Sequence, residues 1–167
     1  MLLNRTGGTV MRLMIKQRVF SWGDTYDIYD EYGNAKYVVK SELLAIGHHL
    51  YVFDSMGTEV GQIHQKLFCL TPQFDIVVNG NTVGNIVKKF TLFRPQYEVN
   101  CKGWRVEGDF LGWDYNVYEA SNPVIHIMKQ WLNWGDTYVI DFANPKDEIM
   151  GLLLVIAIDA ANCSDDN

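Results

Sequence analysis

The sequence predicts a mainly β protein, a closed antiparallel barrel of about twelve strands around a buried hydrophobic C-terminal helix. Two observations lead to this fold class. A β-hairpin unit recurs six times along the chain, and an apolar run with the features of a buried helix follows the last unit. A length of 167 residues corresponds to one domain, so a single barrel accounts for the chain.

The repeat is clearest in the pentapeptide WGDTY, which occurs at residues 22–26 and again at residues 134–138. Each unit has an aromatic or aliphatic residue, then any residue, then Ile or Val, and then turn residues. Each of the first five units continues past a turn into a second β-rich run, which is the pattern of a β-hairpin. Asn79-Gly80 is the strongest turn signal among them. The six units begin at Tyr26, Leu50, Phe74, Tyr97, Tyr115 and Tyr138.

Alternation along the strands predicts which face of the barrel is buried, because side chains at positions i and i+2 lie on the same face. The first and third residues of all six units are aromatic or aliphatic, whereas the residues between them are mixed. We therefore predict that the first set forms the core. Its members are Tyr26, Ile28, Leu50, Val52, Phe74, Ile76, Tyr97, Val99, Tyr115, Val117, Tyr138 and Ile140.

A helix is predicted over about residues 145–161. Asn144 has the character of an N-cap, Pro145 suits the first helical position, and acidic residues occupy the first turn. From Ile149 to Ile158 the run is apolar on all sides apart from one glycine, so the helix must be buried all round. This run is well short of the roughly 20 residues that a membrane span needs. A barrel of about eleven or twelve strands, however, has room for a central helix.

Domain boundaries follow from these patterns. We expect residues 1–13 to be an unstructured leader or the result of a mis-set start, because the patterned residues begin after them. Residues 14–162 are expected to form one barrel domain, and residues 163–167 a tail. The N-terminus lacks the continuous apolar stretch of a secretory signal, so we expect a protein of the reducing cytoplasm that can associate peripherally with a membrane.

Composition and motifs argue against several functions. The net charge of -6 opposes polyanions, so we expect no nucleic-acid partner. The three cysteines form no CxxC pair and the four histidines show no ligand spacing, so we expect neither a disulfide framework nor a metal site. No motif for an activated nucleophile or a nucleotide occurs, so we assign no catalytic residue and expect no cofactor.

Two stretches and the C-terminal helix resemble the LURP-one-related family, including its small bacterial YxjI-like members. The stretches are KQRVFSWGDTYDIYDEYGN at residues 16–34 and FDSMGTEVG at residues 53–61, and the resemblance extends over about residues 14–161. That family is similar to tubby C-terminal domains and phospholipid scramblases, which implies a twelve-stranded barrel around a hydrophobic helix. Tubby domains bind phosphoinositides and scramblases move lipids, but the resemblance transfers no site residue to this chain.

Lysine ends the second strand of several hairpins. Equivalent strand ends lie at the same end of an antiparallel barrel, so we expect these side chains to lie near one another. A local basic patch attracts the anionic head groups of a phospholipid surface, although lysine at strand ends also serves solubility. The predicted ligand-binding residues are Lys40, Lys66, Lys88, Lys89, Arg94 and Lys129.

The leading hypothesis is therefore a non-enzymatic binding or tethering module that docks on anionic lipid head groups or a protein partner through one barrel end. The alternative is a small hydrolase or lipid-modifying enzyme with a cleft at the barrel mouth, in which the acids near Asp24 and Asp136 act with His64 or His126. A third hypothesis is a scaffold that oligomerises through an aromatic outer face. That face comprises Tyr29, Tyr51, Phe53 and Tyr118.

Overall fold

The structure is a computed structural model that describes residues 11–16, 25–42, 47–92, 96–132 and 135–163. In this part of the chain, twelve β-strands precede one α-helix, and the predicted fold class is confirmed. The strands are β1 (Met11–Lys16), β2 (Thr25–Asp30), β3 (Ala35–Glu42), β4 (His49–Asp54), β5 (Glu59–Gln65), β6 (Gln73–Val78), β7 (Asn81–Lys89), β8 (Gln96–Cys101), β9 (Trp104–Asp109), β10 (Asp114–Glu119), β11 (Asn122–Leu132) and β12 (Gly135–Phe142). A 3₁₀ turn (Pro145–Asp147) leads into helix α1 (Glu148–Cys163).

The strands form one antiparallel sheet in the order β8-β7-β6-β5-β4-β3-β2-β1-β12-β11-β10-β9. Every neighbouring pair of these described strands shares a hydrogen-bonded ladder except β8 and β9, so the barrel is nearly closed rather than closed. Aromatic packing bridges this seam. The ring centroid of Tyr97 on β8 lies 4.8 Å from that of Phe110, which follows β9, and Phe110 lies 5.1 Å from Tyr115 on β10.

Strand β1 corrects one predicted boundary. The leader expected over residues 1–13 overlaps this strand, which begins at Met11 and pairs along its length with β12. Leu13 is fully buried, and Arg12 forms an ion pair with Asp141 at 2.6 Å. The five hairpins supply ten strands, and the sixth unit, β12, takes β1 as its partner. The residues before Met11 lie outside the described part of the chain.

Helix α1 fills the barrel. Every residue from Gly151 to Ala161 is buried, as expected for a helix enclosed by strands. Glycines permit the closest approaches, since a Cβ on Gly61 of β5 would lie 2.5 Å from Cδ1 of Leu153. On the opposite side, a Cβ on Gly151 would lie 2.3 Å from Cδ1 of Ile125 on β11. In the part of the chain that the structure describes, α1 included, no helix has both the length and the apolar character of a membrane span.

Polar contacts hold the start of the helix. Glu148 accepts a hydrogen bond from the Tyr37 hydroxyl at 2.9 Å and pairs with Lys36 at 2.5 Å. Lys102 pairs with Asp147 at 2.6 Å. Burial and the hydrogen bond to Glu148 raise the pKa of Tyr37, so its hydroxyl remains a donor at neutral pH. The acidic side chains of this first turn complement the positive end of the helix dipole.

The buried face is the one that alternation predicts. Nine of the twelve predicted core residues are buried. The other three, Tyr26, Tyr97 and Val99, are partly buried and pack against the core. Two of these three belong to β8, which borders the seam and therefore has a paired strand on one side alone.

The topology gives the barrel two different ends. Tight turns join each even strand to the next odd strand, and the predicted Asn79-Gly80 turn has φ angles of 51° and 72°, as a two-residue hairpin requires. Because neighbouring strands run in opposite directions, the described connections from odd to even strands lie at the other end. We name this end the loop end. Its described connections are residues 47–48, 66–72, 90–92 and 110–113.

Replacing Leu13 by Ala tests whether β1 is an integral strand. The free energy of unfolding should fall by about 2 to 5 kcal/mol, because a fully buried side chain leaves a cavity. Urea unfolding measures this change. Met56→Ala is the matched control, since Met56 is 86% exposed in the β4–β5 turn, and its effect should stay within about 0.5 kcal/mol. Equal effects of the two substitutions would show that β1 adds no packing.

A charge in the centre of the helix should prevent folding. Leu153→Asp places a carboxylate where the side chain is fully buried, at a cost of several kcal/mol against a total stability of roughly 5 to 15 kcal/mol. Leu153→Met keeps the apolar character and should fold. Circular dichroism and gel filtration distinguish the two outcomes. A well-folded Leu153→Asp protein would contradict the enclosed helix.

Candidate functional site

The described lysines of the predicted basic patch all lie towards the loop end, because each is in the last part of an odd strand or just after it. The order of the strands in the sheet keeps these lysines from forming a single cluster. Strands β3, β5 and β7 have other strands between them, so equivalent positions are roughly 10 Å apart, and three strands separate β11 from β3. These residues are Lys40, Lys66, Lys88, Lys89 and Lys129, whereas Arg94 lies outside the described residues.

Two of the lysines form ion pairs with neighbouring strands. Lys66 lies 3.1 Å from a carboxylate oxygen of Asp75, and Lys89 pairs with Glu98. The carboxylates offset the lysine charges within the protein. The positive potential at the loop end is therefore weaker than a list of lysines in the sequence suggests.

Lys88 contacts the C-terminal end of helix α1. Its Nζ donates a hydrogen bond to the backbone carbonyl of Ala161 at 3.1 Å, in the last part of α1. The final carbonyls of a helix have no partner within the helix and carry the negative end of its dipole, so a lysine there stabilises the helix. Lys88 thus helps to hold α1 in the barrel.

Exposed apolar side chains mark the loop end, and the sequence analysis does not identify them. Nine large hydrophobic residues are exposed among those described, and six of them lie in three loops at this end. These loops are neighbours, because β6 pairs with β7 and β8 lies beside β9. We name the set the apolar rim, and its members are Leu67, Phe68, Leu70, Phe90, Leu92 and Leu111.

Phe68 is the most exposed member of the apolar rim. Its φ of 59° is in the left-handed region, which costs a bulky residue on the order of 1 to 3 kcal/mol. The base of the loop is hydrogen-bonded to the barrel: the Lys66 amide donates to the Gln73 carbonyl at 2.8 Å, and the Lys88 amide donates to the Pro72 carbonyl at 2.9 Å. The loop therefore holds the Phe68 ring in solvent from an anchored base.

A cleft of about 510 Å³ lies beside the apolar rim, between the β9–β10 loop, β11, β12 and the last turn of α1. Trp113 and Tyr138 form an aromatic wall, with ring centroids 4.0 Å apart. Asp159 of α1 contributes a carboxylate and is 7% exposed. Lys129 of β11 and Leu111 of the apolar rim also line the cleft. The cleft combines aromatic rings with one acidic and one basic side chain.

The histidines of the enzyme alternative do not line this cleft. His64 and His126 alternate along their strands with fully buried isoleucines, so both lie on the outer face of the barrel. Asp24 lies outside the described residues, and so does the side chain of Asp136. The described residues therefore bring no histidine and carboxylate pair to the barrel mouth.

His64 has an unusual environment on the outer face. Its ring stacks on that of His49, with centroids 4.4 Å apart. Burial lowers the pKa of His64, and the neighbouring His49 lowers it further, so the imidazole is neutral at pH 7. Among the described residues, no group of three or more histidine, cysteine or acidic side chains is arranged to hold a metal ion.

Basic side chains cover much of the predicted aromatic outer face. All four rings are partly buried, and three of them have a cation above the ring, an arrangement that is favourable by itself. The distances are 3.7 Å for Lys16 over Tyr29, 5.0 Å for Lys40 over Phe53 and 5.3 Å for Arg105 over Tyr118. The exposed apolar surface therefore lies at the loop end rather than on this face.

Comparison with known proteins identifies relatives of this chain. The profile of a family described as LURP-one-related matches residues 11–159. The uncharacterised protein YxjI of Bacillus subtilis (strain 168) is 28% identical over 158 residues, which is 95% of this chain and 98% of the relative. An X-ray structure of a protein from Arabidopsis thaliana matches with a TM-score of 0.62 and 17% identity, covering 90% of this chain and 91% of the other. At this identity the plant protein supports the fold alone.

Replacing Lys88 and Lys89 separately tests their different contacts. Lys88→Met should lower the free energy of unfolding by about 1 to 2 kcal/mol, because it removes a cation from the end of a buried helix. Lys89→Met removes an exposed ion pair and should change it by less than about 1 kcal/mol. Urea unfolding measures both. Equal losses would contradict a capping role for Lys88.

Proposed function

This chain belongs to the LURP-one-related family, and we propose that it is a non-enzymatic docking module that attaches peripherally to a membrane surface through the apolar rim. One observation supports the proposal most directly, which is the exposure of six large hydrophobic side chains on three neighbouring loops. Surface patches of this kind in soluble proteins mark interaction sites, because their burial is favourable.

The chemistry of the rim suits a lipid interface. Lys66 directly precedes Leu67, and Lys89 directly precedes Phe90, so a cation stands at the base of two apolar loops. A lysine with a long aliphatic chain can keep its ammonium group among lipid head groups while the apolar residues beyond it reach the acyl boundary. For these reasons we favour a membrane over a protein partner.

Insertion of apolar side chains should supply most of the affinity. Burying one large hydrophobic side chain contributes about 1.5 to 3 kcal/mol, so three or four inserted residues account for dissociation constants of roughly micromolar size. A free lysine near an anionic surface adds about 1 kcal/mol. Lys66 and Lys89 should add less because each already has a carboxylate partner. We therefore expect a modest preference for anionic lipids and a weak dependence on salt.

Vesicle flotation tests the proposal. The wild-type protein should float with neutral and anionic vesicles at low and high salt, with somewhat more protein bound to the anionic ones. The double variant Phe68→Ser/Leu70→Ser should bind at least about tenfold more weakly, because it removes two of the most exposed side chains of the rim. Both positions are exposed, so the substitutions should leave the fold intact.

The matched control is Tyr32→Ser/Met56→Ser, which removes two similarly exposed side chains at the opposite end of the barrel. This variant should float as the wild type does. If it lost as much binding as the rim variant, the rim would have no special role. If the wild type failed to float under every condition, membrane docking would be excluded and a protein partner would become the candidate ligand of the rim.

A further inference from the structure

The cleft beside the apolar rim has the dimensions and composition of a small-molecule site. Its volume of about 510 Å³ is within the usual range of roughly 300 to 1,000 Å³ for such sites. Most of its aromatic wall is buried, yet the cleft opens next to Leu111, which is exposed. A ligand can therefore enter from the surface that we propose to face the membrane.

One side of the cleft suits an organic cation. Trp113 and Tyr138 stand together in the wall, and Asp159 places a carboxylate at the end of α1. Aromatic rings attract ammonium groups through their quadrupole, and a carboxylate supplies the opposite charge. Burial raises the pKa of the neighbouring Tyr115, and the negative charge of Asp159 raises it further.

The backbone conformation of Trp113 supports a site rather than a chance hollow. Its φ of 54° is in the left-handed region, which is rare for a residue of this size and costs on the order of 1 to 3 kcal/mol. The conformation is maintained by the β9–β10 loop, in which the Gly112 amide donates to Asp109 Oδ1 at 3.1 Å. The loop thus holds an aromatic ring against Tyr138 at the cleft.

The other charged group of the cleft suits an anion. Lys129 lies two residues beyond Ile127 on β11 and therefore shares the inward orientation of that buried residue. Lys129 lines the cleft together with Asp159. One carboxylate and one ammonium group favour a ligand that carries both charges over a ligand with a net negative charge.

We propose that this cleft binds a zwitterionic alkylammonium phosphate, the chemistry shared by phosphocholine and phosphoethanolamine groups. Asp159, Trp113 and Tyr138 take the ammonium end, and Lys129 takes the phosphate end. The inference rests on the proposed function, because it identifies the head group that the docked barrel contacts. The same chemistry can come from a lipid head group or from a free soluble compound.

Isothermal titration calorimetry with soluble probes tests the cleft without a membrane. Phosphocholine and phosphoethanolamine are the probes, and glycerol phosphate is the comparison anion that lacks an ammonium group. The wild type should bind at least one of the two probes. It should bind glycerol phosphate at least about tenfold more weakly, because this anion has no ammonium group to offset its repulsion from the Asp159 carboxylate.

Three variants identify the contacts. Asp159→Asn should weaken probe binding by about tenfold or more through loss of a charged partner. Lys129→Gln changes an exposed side chain, should keep the fold, and should weaken binding by about threefold. Lys146→Gln is the matched control at the opposite end of the barrel, where the side chain is exposed, and should bind as the wild type does. Thermal unfolding of each variant separates lost binding from lost folding.

Vesicles distinguish the two sources of the ligand. A lipid source predicts that wild type floats better with phosphatidylcholine or phosphatidylethanolamine than Lys129→Gln does, whereas a soluble source predicts equal flotation of the two proteins. Either result, with probe binding, supports the assignment of the cleft. Equal affinity for glycerol phosphate, or no saturable binding of either probe to folded wild type, would overturn it. Flotation through the apolar rim would remain in that case, so the two proposals fail separately.

Discussion

The structure depends on the need to enclose one apolar helix. α1 has no polar face between Gly151 and Ile158, and exposure of any side of it would cost the hydrophobic free energy of several side chains. Twelve strands provide an interior wide enough for this helix, and glycines on β5 and on the helix let backbone and side chains approach closely. The contacts at both helix ends then fix its position along the barrel axis.

The direction of the strands also gives the two ends of the barrel different characters. Because strands alternate in direction, the tight turns lie at one end and the loops at the other. The first turn of the helix lies at the turn end, held by Glu148 and its partners. At the loop end, the last helical turn contributes Asp159 to a cleft whose other walls come from strands and one loop. The barrel can therefore carry exposed apolar loops and a charged cleft without disturbing its core.

Much of the fold could be predicted from the sequence because its signals are local. Alternation within each unit identifies the buried face, and the run without a polar side chain at residues 149–158 indicates a buried helix, whose residues are fully enclosed from Gly151 onward. Strand β1 could not be predicted because it contains no copy of the repeated unit. Its strand character depends on pairing with β12, more than a hundred residues later in the chain. The seam between β8 and β9 could not be predicted either, since a two-residue turn such as Lys102-Gly103 normally indicates a paired hairpin.

The sequence by itself determined the strand units, the enclosed helix and the end of the barrel towards which the lysines lie, because these follow from periodicity and from the direction of each strand. The tertiary structure alone decided what the lysines contact, since Asp75, Glu98 and the carbonyl of Ala161 come from other elements. It also decided that the apolar loop residues are exposed, because hydrophobicity in a sequence does not distinguish a core position from a projecting loop. The cleft depends on four elements within residues 110–162, and their convergence arises from packing rather than from any local pattern.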